Sequence, residues 1–301
     1  HNIDMVKLLL DSGVDLNISD VHGITPIGYT SEENDIEIIK LLLKAGANPN
    51  IPGEEGITPI ITYSGFNIDL VKLLLKSGAD PNIQDNEGNT ALMEASKYNN
   101  LEGVRILLEA GADPNIQDES GNTALKMSIT YSRSENIIKL LLKNGADPNI
   151  QNLQDYTALM DASRYPETPN YIKLLLNNGA DPNITTVHGQ TALSIAIDNN
   201  KYGEVAANEG ADILIKHIKN NKYYKENVDN IKEWIKEEIK TNNKYNRNRT
   251  KFYAKQHWTF EETLYDEAFD EAYYEAYNEA YNEAIKELEI VNRMNNLKLK
   301  K

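Results

Sequence analysis

Apolar triplets recur along the first two-thirds of the chain, at Leu8 to Leu10, Leu41 to Leu43, Leu73 to Leu75, Ile106 to Leu108, Leu140 to Leu142 and Leu174 to Leu176. Each ends a stretch that predicts a helix, and a Gly follows three residues later. That Gly opens a second landmark, Gly then Ala or Val then Asp or Asn, at Gly13, Gly46, Gly78, Gly111, Gly145, Gly179 and Gly210, with spacings of 33, 32, 33, 34, 34 and 31. Glycine stops a helix at such a place because the position after the C-cap takes φ > 0. A Thr-Pro-Ile or Thr-Ala-Leu tripeptide keeps the same period, beginning at Thr25, Thr58, Thr90, Thr123, Thr157 and Thr191 with spacings of 33, 32, 33, 34 and 34. It suits a helix start, where the Thr hydroxyl caps free amides and Pro loses nothing by lacking an N–H. Each unit therefore predicts helix, turn, helix and an extended return such as Asp80 to Asp85, where an alternating pattern and Gly88 suit a short hairpin.

A unit of about 33 residues cannot close a core alone. If each buried Leu contributes roughly 1.5 to 3 kcal/mol, the triplets stabilise only when a neighbouring unit covers them. The predicted fold class is all-α: a solenoid of stacked helix-turn-helix units with short β-hairpins, followed by long C-terminal helices.

Charge marks where this pattern ends. The 301 residues carry 31 Lys and Arg against 46 Asp and Glu, a net charge of −15. Residues 1–215 hold 14 basic and 30 acidic side chains (−16), residues 216–257 hold 12 and 5 (+7), and residues 258–301 hold 5 and 11 (−6). No Gly follows Gly210 and no Pro follows Pro182. The expected divisions are thus 1–215 for the repeats, 216–257 for an amphipathic helix and basic linker, and 258–301 for a long helix. With no cysteine, disulfides, thiol chemistry and Cys-held metals are excluded, and a reducing, cytoplasmic setting is expected. No apolar run approaches the roughly 18 residues of a membrane span, so no membrane role is expected. No charged-then-apolar leader is seen from His1 onward, so no targeting peptide is expected.

The segment Asp85-Asn86-Glu87-Gly88-Asn89-Thr90-Ala91-Leu92, then Ala95, Leu101-Glu102-Gly103-Val104 and Leu107 to Asn115, resembles a full ankyrin repeat. The resemblance covers residues 1–215 and implies six repeats preceded by a half repeat. It implies a non-enzymatic protein that binds other proteins through hairpin tips and the exposed ends of first helices. The wording, rich in Asn, Ile, Lys and Tyr, is also similar to ankyrin proteins of AT-rich genomes such as those of large DNA viruses, for which the setting would be host cytoplasm. The His of the family's Thr-Pro-Leu-His pattern is replaced by Gly28, Ile61, Met93, Lys126, Met160 and Ser194, so its bond between repeats is expected to be missing. Asp155 stands where the fifth turn needs Gly, Pro166 and Pro169 separate that repeat's helices, and Val205-Ala206-Ala207 is a weak substitute for the sixth triplet. Repeats five and six are expected to be the least regular.

The resemblance maps partner-binding positions onto Gln84, Asn86, Glu87, Lys97 and Tyr98 of repeat three, Tyr131 of repeat four, and Leu153, Tyr156, Arg164 and Tyr165 of repeat five. Phe66, Tyr98, Tyr131 and Tyr165 recur at spacings of 32, 33 and 34, which stacking would set as an aromatic ladder. Tyr and Arg dominate interface energetics. Two readings stand for the rings: a partner-binding surface, or packing on the neighbouring repeat's helix. The partner's identity is not legible.

Beyond the repeats, Val228, Ile231, Trp234, Ile235 and Ile239 predict an amphipathic helix near 226–241 that caps the array or docks elsewhere. Lys244, Arg247, Arg249, Lys251 and Lys255, interleaved with Tyr245, Phe252 and Tyr253, form a basic stretch in 241–257. Nucleic-acid tethering there is the lesser reading, because the surrounding acidity repels a polyanion. Thr259 and Glu262 form a capping box that opens a helix to about 294, with a column of Glu at every fourth position from Glu267 to Glu287. Like charges at i, i+4 oppose the helix by roughly 0.2–0.5 kcal/mol per pair, which self-association or a partner would relieve, unless the helix is a polar one that needs none. No phosphate loop, nucleophile elbow, dinucleotide turn or metal-binding His pair appears, so no cofactor, metal or catalysis is expected.

Overall fold

The computed structural model describes residues 3–29, 36–165, 168–199 and 209–220, with the backbone alone at 197–199 and 219–220. The amphipathic helix near 226–241, the basic stretch, the helix from Thr259, Pro166 and the Val205 segment lie outside the described residues. The chain divides between Ile213 and Leu214.

Twelve α-helices occur among the described residues. The second helices of successive units are α1 (Ile3–Asp11), α2 (Ile36–Lys44), α4 (Ile68–Lys76), α6 (Leu101–Glu109), α8 (Glu135–Lys143) and α10 (Pro169–Asn177). The first helices are α3 (Pro59–Ser64), α5 (Ala91–Lys97), α7 (Ala124–Met127), α9 (Ala158–Ser163) and α11 (Ala192–Asn199). Each row packs in chain order, giving the two-layered solenoid that the period predicts. The middle residue of each triplet makes the argument for stacking: Leu42 is 4% exposed and Leu74, Leu107, Leu141 and Leu175 are fully buried, whereas Leu9 of α1 stands 49% exposed. The motif is buried in α2, α4, α6 and α8, each flanked by second helices on both sides, and exposed in α1, which has one such neighbour among the described residues.

The six glycines from Gly13 to Gly179 all take positive φ, as expected. Gly210 does not stop a helix; it lies in the first turn of α12 (Glu209–Asn220). At the earlier landmarks an Asn follows four residues after the Gly, and from Asn50 to Asn149 it clamps the next repeat, while after Gly210 that position is Leu214. Asn115 shows the clamp: its Oδ1 accepts the Asp147 N–H at 2.8 Å and its Nδ2 donates to the Gly145 carbonyl at 3.0 Å. Asn50, Asn82 and Asn149 repeat the pair of bonds.

Local signals are mostly obeyed. Thr90, Thr123 and Thr157 cap their helices through the hydroxyl, accepting from Met93, Lys126 and Met160 N–H. Thr58 does not, because the Ile61 N–H turns to the Thr58 carbonyl at 3.0 Å. In the first repeat residues 26–29 form turns, and 30–35 lie outside the described residues. The predicted hairpins become tight turns without strand pairing among the described residues, closed by bonds such as Asp85 N–H to Asn89 O at 3.0 Å. An unforeseen irregularity falls in repeat four, where Ser128–Ser132 winds as a π-helix ending on Arg133 at φ 48°. Repeat three reaches its second N-cap ten residues after its Thr (Thr90 to Asn100) and repeat four eleven after (Thr123 to Ser134), so the π turn absorbs one residue.

Candidate functional site

Because the aromatic positions all lie eight residues beyond the landmark Thr, stacking sets them at one end of the first-helix row. Phe66, Tyr98 and Tyr131 are 58%, 62% and 60% exposed. Phe66 meets the edge of buried Tyr63 at 5.7 Å between centroids. Tyr98 lies on the bare backbone of Gly65 in the preceding repeat, where a Cβ would stand 2.9 Å from the ring. Lys97 links two rungs, with Nζ 5.5 Å from the Tyr98 centroid and 6.0 Å from that of Tyr131. Half-burial pulls the Lys97 pKa down, but the Glu94 carboxylate at 3.3 Å outweighs it and leaves the pKa raised.

Tyr165, the fourth rung, is half-buried and differs in kind: the Arg133 guanidinium covers its ring at 4.5 Å. The Tyr171 hydroxyl donates to the Arg133 carbonyl and fixes the π turn that presents this arginine. Arg133 was not among the sequence-predicted residues, and the extra residue in repeat four was the only signal for it. Arg164 stacks on Tyr156 at 4.2 Å, and the Tyr156 hydroxyl donates to Gln190 Oε1 at 3.1 Å.

At the loop tips, the structure joins neighbours by one backbone bond each: Asn86 N–H to Glu55 O at 2.9 Å, Glu119 N–H to Glu87 O at 2.8 Å, and Leu153 N–H to Ser120 O at 2.9 Å. The side chains of Asn86 and Glu87 stay exposed, and Leu153 is 73% exposed. Gln84 serves the stack instead, its Nε2 donating to Gly88 O at 2.7 Å and to Gln117 O of the next repeat at 3.0 Å. Turn glycines make this closeness possible: a Cβ on Gly88, at φ 80°, would stand 2.8 Å from the Glu119 nitrogen. Asp155 keeps the turn at φ 62°, and no matching bond joins Val187 to Gln154 among the described residues.

The expectation that no bond between repeats replaces the family's His is corrected at Lys126. Its side chain is 3% exposed and reaches into repeat five, where Nζ donates to the Tyr156 carbonyl at 2.8 Å and pairs with Asp161. A flexible lysine spans the distance that Met93 and Met160 fill with apolar volume. Burial lowers the Lys126 pKa, with Asp161 opposing.

Among the described residues no group of His, Cys, Asp and Glu could hold a metal ion, and no helix is long and apolar enough to cross a membrane. Family comparison matches the chain to ankyrin repeats (3 copies) over residues 60–152 and 130–224 and to a single ankyrin repeat over 22–54. The fold is similar to a crystal structure of the ankyrin repeat domain of Bcl-3, described as a unique member of the IkappaB protein family. Identity is 27% and the TM-score 0.58, over 70% of this chain and 90% of that one. No curated protein matches the chain in sequence.

Proposed function

The chain belongs to the ankyrin-repeat family, and from that premise we propose that it is a non-enzymatic scaffold that binds a partner protein through the aromatic ladder and loop tips of repeats two to five. One observation supports this reading above others: three large rings in a row, each about three-fifths exposed, stand on repeats whose cores are fully closed. Exposed large aromatics repeated along one row mark a candidate interaction surface. Covering roughly 100 Å² on each ring at ~25 cal/mol/Å² gives about 7.5 kcal/mol before the costs of association, enough to anchor a partner. Affinity capture with the full chain tests it. The wild type retains bound protein and the F66A/Y98A/Y131A variant, with unchanged circular dichroism, loses it; an identical captured set from both refutes the ladder.

Residues 216–257 and 258–301 form the remainder in this reading, recruiting another protein or a second copy. The reversals of charge from −16 to +7 and −6 support a distinct role. A light-scattering mass equal to one chain counts against self-association. The lack of cysteine supports a cytoplasmic setting.

A further inference from the structure

We propose that the segment bound along repeats two to four is basic, a stretch rich in Arg or Lys whose cations meet the exposed loop-tip carboxylates and the exposed rings of Phe66, Tyr98 and Tyr131. This rests on the ladder being the binding surface and adds the chemistry of what it binds.

The argument begins with how charge is divided between the two helical rows. The second helices α1, α2, α4, α6, α8 and α10 carry nine bases against seven acids, a net +2. The first helices and loops between them, over 12–29, 45–67, 77–100, 110–134, 144–165 and 178–196, carry four bases against fifteen acids, a net −11. Within these described segments the negative charge thus falls in the first helices and loops, and the second helices contribute none of the excess. Within that side the cations are also placed unevenly. Lys126 is buried against Asp161, Arg133 and Arg164 lie on Tyr165 and Tyr156 at repeats four and five, and Lys97 has Glu94 at 3.3 Å. The tips of the same repeats, two to four, present Glu54, Glu55, Glu87 and Glu119, all exposed and none in an ion pair among the described residues.

Two features then favour the same partner. Exposed carboxylates spaced one loop apart attract cations from solution and speed encounter, weakly per pair and additively along a line. Exposed aromatic faces take a guanidinium or ammonium within about 6 Å, most readily that of arginine. Lys97, 5.5 and 6.0 Å from two of the rungs, shows that these faces accept a cation in this geometry. An acidic segment would be repelled by the same four glutamates.

The test is fluorescence anisotropy of the full chain with a labelled peptide of five Arg-Ser pairs. About ten residues at roughly 3.3 Å each cross three repeats whose helices lie about 8–10 Å apart. A peptide of five Glu-Ser pairs is the control. The expected result is binding of the Arg-Ser peptide alone, weakened about tenfold in the E54Q/E55Q/E87Q/E119Q variant at low salt, and reduced further by Y98A/Y131A. A second variant, E37Q/E102Q/E109Q/E135Q, removes the same charge from the outer helices and should weaken binding less than about twofold. Equal weakening by both variants means attraction to net charge alone and overturns the proposal. So does binding of the Glu-Ser peptide, or a rise in mass with concentration that the tip variant abolishes, which would make a second copy the occupant. If captured protein depends on Tyr98 and Tyr131 but not on the four glutamates, the ladder stands and only the basic partner falls.

Discussion

Replacing Lys126 with Met tests whether one buried ion pair couples repeats four and five. Methionine already occupies the equivalent position in repeats three and five, as Met93 and Met160, each 1% exposed, so its volume is tolerated there. The cost is therefore electrostatic. K126M leaves the Asp161 carboxylate, 12% exposed, without its cation, and leaves the Tyr156 carbonyl without the donor now 2.8 Å away. Breaking a buried pair on one side costs about 3–5 kcal/mol, and the residual exposure of Asp161 places this case near 3. The double variant K126M/D161M places Met where repeat four has buried Met127 and should recover most of that loss, because an apolar pair of similar volume is about neutral against the ionic one. Denaturant unfolding of all four members of the cycle gives the coupling, and hydrogen exchange localises it, since repeat arrays need not unfold in two states. A loss of 3 kcal/mol appears as roughly hundredfold faster exchange in repeats four and five. The pH dependence has a definite sign. Burial lowers the folded pKa of Lys126, so in the alkaline range below about 10.4 the unfolded chain holds more protons, and this residue's contribution to stability rises with pH there. A K126M cost below about 0.5 kcal/mol, with no coupling to Asp161, would show a solvated lysine and refute the reasoning.

Two further outcomes are expected. D155G should stabilise the array by about 0.5–1 kcal/mol in chemical denaturation, since glycine relieves the positive φ, and the Val187 amide should gain exchange protection as the sixth loop closes on the fifth; unchanged protection would mean that the Asp155 Cβ is not what holds them apart. N115A should cost about 2 kcal/mol by thermal unfolding, two bonds at ~1 kcal/mol each, while N115D keeps the acceptor and costs about half as much; equal losses would place the whole effect in the donor.

How much of this could be read from residues alone depended on whether the signal was periodic. The Thr and Gly landmarks recur because each repeat needs the same start and stop, so helix order, register and the ladder followed from spacing. Gly210 matches the motif in three letters yet lies inside α12, so the triplet alone does not stop a helix, and the Asn that follows Gly46 to Gly145 by four residues is Leu214 here. A 34-residue spacing announced one extra residue in repeat four without saying where the helix would absorb it, so the π turn and Arg133 stayed hidden. The Lys126 contact is hidden for a related reason: replacing His removes the familiar donor, yet a longer side chain reaches the next repeat's carbonyl. Gln84 fell on the surface by register, yet its amide is engaged by two carbonyls, a matter of side-chain length and direction that no period reports.

The asparagine clamp carries a consequence for how such a molecule changes over generations. Each repeat owns both halves of the connection, an amide that reaches forward and a Gly carbonyl and Asp N–H that receive from behind. A duplicated or deleted stretch of coding sequence one period long would therefore find compatible neighbours on either side, at once and without further substitution. Asn183, the last in the described series, folds its amide back on its own Asp181 at 3.0 Å, the posture of a coupling that has nothing to grip. Array length is thus the property this lineage can alter most cheaply, and reach along a partner is what it would gain or give up by doing so.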